Sequence, residues 1–249
     1  QTEGRTLLYD TGARFSAHFD AGSAVVVPTL EKLGIKQVDS ILVSHQDLDH
    51  RGGFPAIVES IPVSRVVTNE PTALSGEVDV CRAGDQWRWG ETQFSILAPR
   101  VSDSGARSSN NRSCVLRIDR GDTAVLLPGD IEAWAESALL ADGLQAADVL
   151  LAPHHGSKTS STPKFVDAVA PEHVVFATGY RNRFGFPHRD VVQRYRELGA
   201  QLWQTDRDGA VVFEWSDRDS EWRAYSFRNT ERRFWHHKAS ASAFTLEAE

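Results

Sequence analysis

The apolar runs of this chain stop at polar clusters, and that placement constrains the fold more than any other feature. The run Val38-Asp-Ser-Ile-Leu-Val-Ser ends in His45-Gln-Asp47-Leu-Asp49-His50, with Arg51-Gly52-Gly53 behind it. Ala124-Val-Leu-Leu-Pro ends in Gly129-Asp130, Val149-Leu-Leu-Ala-Pro ends in His154-His155-Gly156, and the first visible strand ends in Asp10-Thr11-Gly12. In α/β sheets the loops at one end of the strands converge on a common crevice. Four such ends carrying Asp or His imply one shared polar site.

Short β-branched runs alternate with amphipathic segments, the pattern of an α/β sandwich. Strands are expected over 5–9, 38–43, 63–68, 92–97, 113–118, 123–127, 149–152, 173–177, 201–204 and 210–215, and helices over 23–33, 54–60, 131–141, 163–170 and 190–198. Residues 102–112 read as a polar Ser/Asn/Arg loop, and the tail from 217 is charged and weakly patterned. A chain of 249 residues with 41% hydrophobic side chains can fill one large core. Its apolar runs are far shorter than the roughly 18 residues of a membrane span, so no span is expected. Met is absent throughout, position 1 included, which predicts an excised or processed piece.

The formal charge of −7 argues against a broad basic surface, so an anionic substrate would have to be captured locally. Cys81 and Cys114 leave open either one bridge or two buried thiols, and they do not decide the compartment.

Four ligand-type side chains within six residues cannot all face one metal from one regular element, whereas a loop rolling into a helix can divide them between two ions. Imidazole with carboxylate suits hard-to-borderline divalent cations, and the high carboxylate share favours Mn²⁺ over Zn²⁺. Each piece has a plainer reading. Asp49 could be a helix cap, Asp130 a turn residue, and His154-His155 a solvated pair. The density of the string from His45 to His50 weighs against those readings.

Ser44-His-Gln-Asp-Leu-Asp-His50 resembles the H-x-[HD]-x-D-H motif of the metallo-β-lactamase superfamily, with Asp10-Thr-Gly12, Gly129-Asp130 and a later His in the expected order. Asp47, together with Phe19-Asp-Ala-Gly22, Asn110-Asn-Arg-Ser113, Pro153-His-His-Gly-Ser157 and Phe184-Gly-Phe-Pro-His188, is similar to the C-terminal domain of the ComEC family of competence DNA-uptake proteins, over roughly residues 5 to 215. The resemblance implies an αββα sandwich with the metal site at one edge. The family's first strand, rich in Asp, Gly and Gln, would be missing ahead of residue 5. Residues 1–216 would form the hydrolase domain and 217–249 a charged extension with room for a last strand and a tail.

By the same resemblance, His45 and Asp47 would hold one ion, Asp49 and His50 the other, and Asp130 would bridge them. One of His154 and His155 would complete the coordination of the second ion, with His155 favoured. Asp10 and Ser44 would orient ligands, and Asn110 and Asn111 would stand where the superfamily has its third histidine. His188 would be a last ligand or a proton donor to the leaving oxygen, since Phe186 occupies the place where the uptake family often has His. Asp49, Asp130 and His188 would thus carry the catalysis. Arg112, Lys158, Arg181, Arg183 and Arg189 flank these motifs and could track a nucleic-acid backbone.

The function implied is a two-metal DNA nuclease that degrades the strand not imported during transformation. Its parent would be an inner-membrane protein with a transmembrane channel domain, this part facing the periplasm, and the fragment alone would be monomeric. Two other readings are a metallo-hydrolase of a small ester, thioester, lactone or phosphodiester, and a catalytically degenerate module that binds DNA.

Overall fold

In the computed structural model, residues 1–102, 108–216 and 221–230 are described. The expected loop at 102–112 and the charged tail beyond 217 therefore lie partly outside the described residues. The chain opens with β1 (Leu7–Tyr9), the hairpin β2 (Arg14–Ser16) and β3 (Phe19–Asp20), helix α1 (Val27–Lys32), and β4 (Ser40–Val43). Then come α2 (Leu48–Arg51), α3 (Phe54–Ser60), β5 (Val66–Thr68) and β6 (Asp79–Val80). Strands β1, β4, β5 and β6 form a four-stranded parallel sheet in the order β1-β4-β5-β6.

The next strands are β7 (Gln86–Trp89), β8 (Thr92–Ala98), β9 (Val115–Arg120) and β10 (Thr123–Leu127). After α4 (Ala133–Ala141) come β11 (Val149–Leu151), α5 (Pro163–Val169), β12 (His173–Phe176), α6 (Arg189–Glu197) and β13 (Gln201–Gln204). Together they build a seven-stranded mixed sheet in the order β13-β12-β11-β10-β9-β8-β7, parallel from β10 to β13 and antiparallel from β7 to β10. Finally α7 (Thr205–Asp208) precedes a hairpin of β14 (Val211–Ser216) and β15 (Glu221–Ser226), followed by α8 (Phe227–Thr230).

Three apolar clusters divide the layers, and strand alternation explains how. In β4, Ile41 and Val43 join Val27, Leu30, Phe54 and Ile57 of the α1 and α3 layer. Leu42, between them, points the other way, into a cluster with Phe94, Ile96 and Leu116 between the two sheets. All four residues of β4 are buried because both faces are covered. The parallel half of the larger sheet packs Leu126, Leu150, Val174 and Phe176 against Phe165, Val166, Val191 and Tyr195 of α5 and α6. Burial of a ring such as Phe165 contributes about 2 to 3 kcal/mol. The layers are thus helix, sheet, sheet, helix, the expected αββα sandwich.

The helix expected over 23–33 is divided: a wide turn at Gly22–Val26 precedes α1. Pro28 lacks an amide hydrogen to donate into that turn, which favours the irregularity. Cys81 and Cys114 are bonded, with Cα atoms 6.2 Å apart, and the bridge lies in the cluster between the sheets. At the junction of α2 and α3, a Cβ on Gly53 would stand 2.2 Å from the Thr11 carbonyl oxygen and 2.5 Å from Gly22 N. Only a residue without a side chain lets α2 come that close to the loop after β1.

Candidate metal centre

The loop from β4 into α2 places His45, Asp47, Asp49 and His50. Asp47 is the extended residue ahead of α2 and makes no side-chain capping bond, while Asp49 lies in the helix's first turn. The capping reading of Asp49 therefore does not hold. Asp130 follows β10, its backbone N–H donating to Ser113 Oγ at 3.1 Å. After β11, His154, His155 and Gly156 all take left-handed backbone, with φ of 49°, 55° and 82°. Two such residues with side chains in succession cost on the order of 1–3 kcal/mol each. The turn is held by His154 N–H donating to Gly129 O at 3.1 Å and His188 N–H to Gly156 O at 2.9 Å.

The polar strand ends meet. Asp49, His50, Asp130 and His155 each present one ligand atom, all within 4.8 Å of one another. His50 Nε2 is 3.2 Å from Asp130 Oδ1, and His155 Nε2 is 3.6 Å from Asp49 Oδ2 and 3.7 Å from Asp130 Oδ2. Beside this group His45 Nε2 lies 3.6 Å from Asp47 Oδ2, and the rings of His45 and His50 are 4.2 Å apart.

Hydrogen bonds on the far nitrogens set how the rings are presented. His50 Nδ1–H donates to Asp10 Oδ2 at 2.8 Å, and His155 Nδ1–H donates to the Ala177 carbonyl at 2.9 Å. The Asp10 carboxylate also accepts from Ser44 Oγ–H at 3.0 Å, so Ser44 Oγ in turn accepts from His45 Nδ1–H at 3.0 Å. Asp10 itself has φ of 60° and accepts Ser44 N–H at 2.7 Å. One carboxylate thus orients two imidazoles.

All three Nε2 atoms are left buried without a hydrogen-bond partner. Leaving buried polar atoms unsatisfied costs about 1 to 3 kcal/mol each. Three orphaned imidazole nitrogens beside carboxylates that ring nitrogens alone do not saturate are the donor set of a borderline divalent cation. The residues present fit a metal.

The electrostatics agree. Burial works against charge on His50, but the charge and hydrogen bond of Asp10, then those of Asp130, hold it protonated well above the usual histidine range. Burial likewise opposes ionisation of Asp130, yet the close approach and charge of His50, followed by His155 and His45, keep its carboxyl well below the ordinary range. Asp49 is lowered by the close approach of His155. His155 is raised overall: burial opposes this, and Asp49 and Asp130 outweigh it. His45 is lowered by burial and by repulsion from His50. The pocket is built to hold positive charge.

Other expected residues are placed differently. His154 lies outside the four-residue group, with Nε2 3.7 Å from Asp130 Oδ2 and Nδ1 3.7 Å from Glu132 Oε1. Asn111 Oδ1 accepts the Glu132 and Ala135 amides at 3.0 and 3.3 Å, which ties the start of α4. Asn110 accepts Ser113 Oγ–H on its carbonyl at 2.7 Å. His188 Nδ1 accepts from Asp190 N–H at 3.4 Å at the start of α6. Arg112 pairs with Glu70 at 2.7 Å, while Lys158, Arg181, Arg183 and Arg189 are exposed. Glu132 went unnoticed in the sequence, although it lies two residues after Asp130.

Replacing Asp10 with alanine is expected to weaken metal binding about 10- to 100-fold, because His50 loses its orienting acceptor and the Ser44 hydroxyl that orients His45 loses its own. Competition with a chelator of known affinity, monitored beside circular dichroism, measures this. Unchanged affinity would mean the rings hold their orientation without Asp10.

Residues 1–180 match the family model described as the metallo-beta-lactamase superfamily. The chain is similar to the competence protein ComA of Neisseria gonorrhoeae, 36% identical over 215 residues that cover 86% of this chain and 30% of that protein. It is 33% identical over 209 residues to recombination protein 2 of Haemophilus influenzae, covering 84% of this chain and 26% of that one. The chain thus spans less than a third of these relatives. A solved structure described as a metal-dependent hydrolase of the beta-lactamase superfamily shares the fold, with TM-score 0.51 and 16% identity over 80% of this chain and 85% of that one.

Proposed function

Because the chain belongs to the metallo-β-lactamase superfamily and is related to ComEC-type competence proteins, we propose that it is a metal-dependent deoxyribonuclease acting on the strand that is not imported. The observation that carries this reading is the group of Asp49, His50, Asp130 and His155, whose two buried histidine Nε2 atoms make no hydrogen bond. The Asp49 side chain is 51% exposed, so the centre opens to solvent. An open polar centre suits a polymer better than a small ester, which an enclosed apolar pocket would serve. A cavity of about 500 Å³ beside Asn69, Arg82 and Arg100 is not lined by any of the four residues.

Divalent cations, when bound, supply Lewis acidity and lower the pKa of water toward neutrality. The chain's own part is arrangement. Asp10 and Ser44 fix His45 and His50, the Ala177 carbonyl fixes His155, and Asp130 keeps negative charge at the middle of the group. His45 and Asp47 would hold the second cation. His188 is assigned as proton donor to the leaving oxygen. Its Nδ1 accepts the Asp190 amide, which leaves Nε2 as the ring nitrogen that would face the leaving oxygen.

Among the described residues no helix is long and apolar enough to cross a membrane. The reading includes a parent protein with a transmembrane channel domain and this part facing the periplasm, with Mn²⁺ favoured over Zn²⁺. Labelled single- and double-stranded DNA incubated with Mn²⁺, Mg²⁺ and Zn²⁺ in turn tests the activity. Cleavage with Mn²⁺ that disappears in Asp47→Ala and Asp49→Ala is expected. No cleavage with any of the three metals would remove the nuclease reading.

A further inference from the structure

Three rings run outward from the metal centre. Phe186 lies 6.3 Å from His155 with its plane tilted 21°, and Phe184 lies 5.6 Å from Phe186 at 19°. Phe184 is 62% exposed, so core packing does not account for it. The guanidinium of Arg183 stands 4.9 Å from the centre of its ring, and next to it Arg181 stands 5.3 Å from that of Tyr180, which is also exposed.

The run is fixed from below. Asn182 brackets the backbone of Phe186, accepting its N–H at 2.9 Å and donating to its carbonyl at 2.7 Å. On the inner side Phe186 meets His154 edge-on at 5.8 Å. The ring nearest the ligands is therefore pinned, while the outermost stands in solvent with the Arg183 guanidinium beside it.

We propose that Phe186 and Phe184 are a stacking platform for the unpaired bases of a single-stranded nucleic acid, leading its backbone to the metal centre. The proposal rests on the phosphodiesterase reading and names its substrate form. Near-parallel rings match offset stacking of planar bases, and the guanidinium above Phe184 offers a second planar, cationic face. Every base has a π-face, so such a platform tolerates any sequence. Bases in a duplex already cover one another and present only edges, so the rings select unpaired strands. Arginines interleaved with exposed rings suit a polyanion carrying aromatic faces better than an apolar protein surface.

The test is binding of a fluorescein-labelled oligothymidylate with a hydrolysis-resistant phosphorothioate backbone to the Mn²⁺-loaded protein, measured by anisotropy. Phe184→Ala is expected to raise Kd about tenfold, Phe184→Trp to recover it, and an abasic strand to bind both proteins equally. Trp134→Ala removes a half-exposed ring on α4, outside the platform, and should leave Kd unchanged. Equal Kd for the parent and Phe184→Ala, or the same weakening on the abasic strand or in Trp134→Ala, overturns the platform. Turnover of bis(p-nitrophenyl) phosphate is read in parallel. It is expected in the parent and in Trp134→Ala, and its absence from both would sink the phosphodiesterase reading while the binding comparison still decides the stacking.

Discussion

Asp130→Ala is expected to lower Mn²⁺-dependent hydrolysis by on the order of 10³-fold, equivalent to about 4 kcal/mol of transition-state stabilisation. Asp130 is 4% exposed and reaches three imidazoles of the centre: His50 Nε2 at 3.2 Å, and His154 and His155 Nε2 each at 3.7 Å. Without it, the imidazoles lose the carboxylate they share, and a cation would be left with fewer donors and less negative charge to hold it. The fold should survive, because the neighbouring ties run through backbone. Gly129 O still accepts His154 N–H, and residue 130 still donates its amide to Ser113 Oγ. Elemental analysis of metal per chain, with steady-state rates, makes the measurement. A variant that keeps its full complement of metal and a tenth or more of the rate would place the chemistry elsewhere.

The second large effect concerns stability. Removing the bridge in Cys81→Ala with Cys114→Ala is expected to cost about 4 kcal/mol, the chain-entropy value for the 33-residue separation it closes. For a chain of this size that lowers Tm by roughly 10 °C. The loss should reach the metal centre too. Cys114 N–H donates to Ser44 O at 2.8 Å, and its neighbour Ser113 accepts the Asp130 amide. Thermal unfolding of the parent and the double variant, each with and without reductant, measures it. The variant should be insensitive to reductant and the parent should fall to meet it, while equal Tm in oxidised parent and variant would show that the crosslink constrains nothing.

Much of this architecture was legible before any coordinates because it depends on local pattern. Residues 123–127 and 201–204 are strands with the expected bounds, and 54–60 is the expected helix. The string from His45 to His50 stands out because so many ligand-type side chains share one short loop. The hairpin of β2 and β3 escaped notice because runs of two or three residues, mostly exposed, show no period. So did α2, a single turn whose residues are read first as ligands. Glu132 and Asn111 gain their roles from approach in space across 21 residues. The pairing of Cys81 with Cys114 was open for the same reason. The rings of Phe184 and Phe186 look like ordinary apolar residues of a loop until their planes are known.

The candidate ligands are drawn from both halves of the sandwich. His45, Asp49 and His50 follow a strand of the four-stranded sheet, whereas Asp130 and His155 follow strands of the seven-stranded one. A bound cation therefore rivets two slabs across their seam, and the slabs cannot part without releasing it. Cation supply and resistance to heat become one variable: above the dissociation constant, each tenfold rise in free cation adds about 1.4 kcal/mol to the folded state.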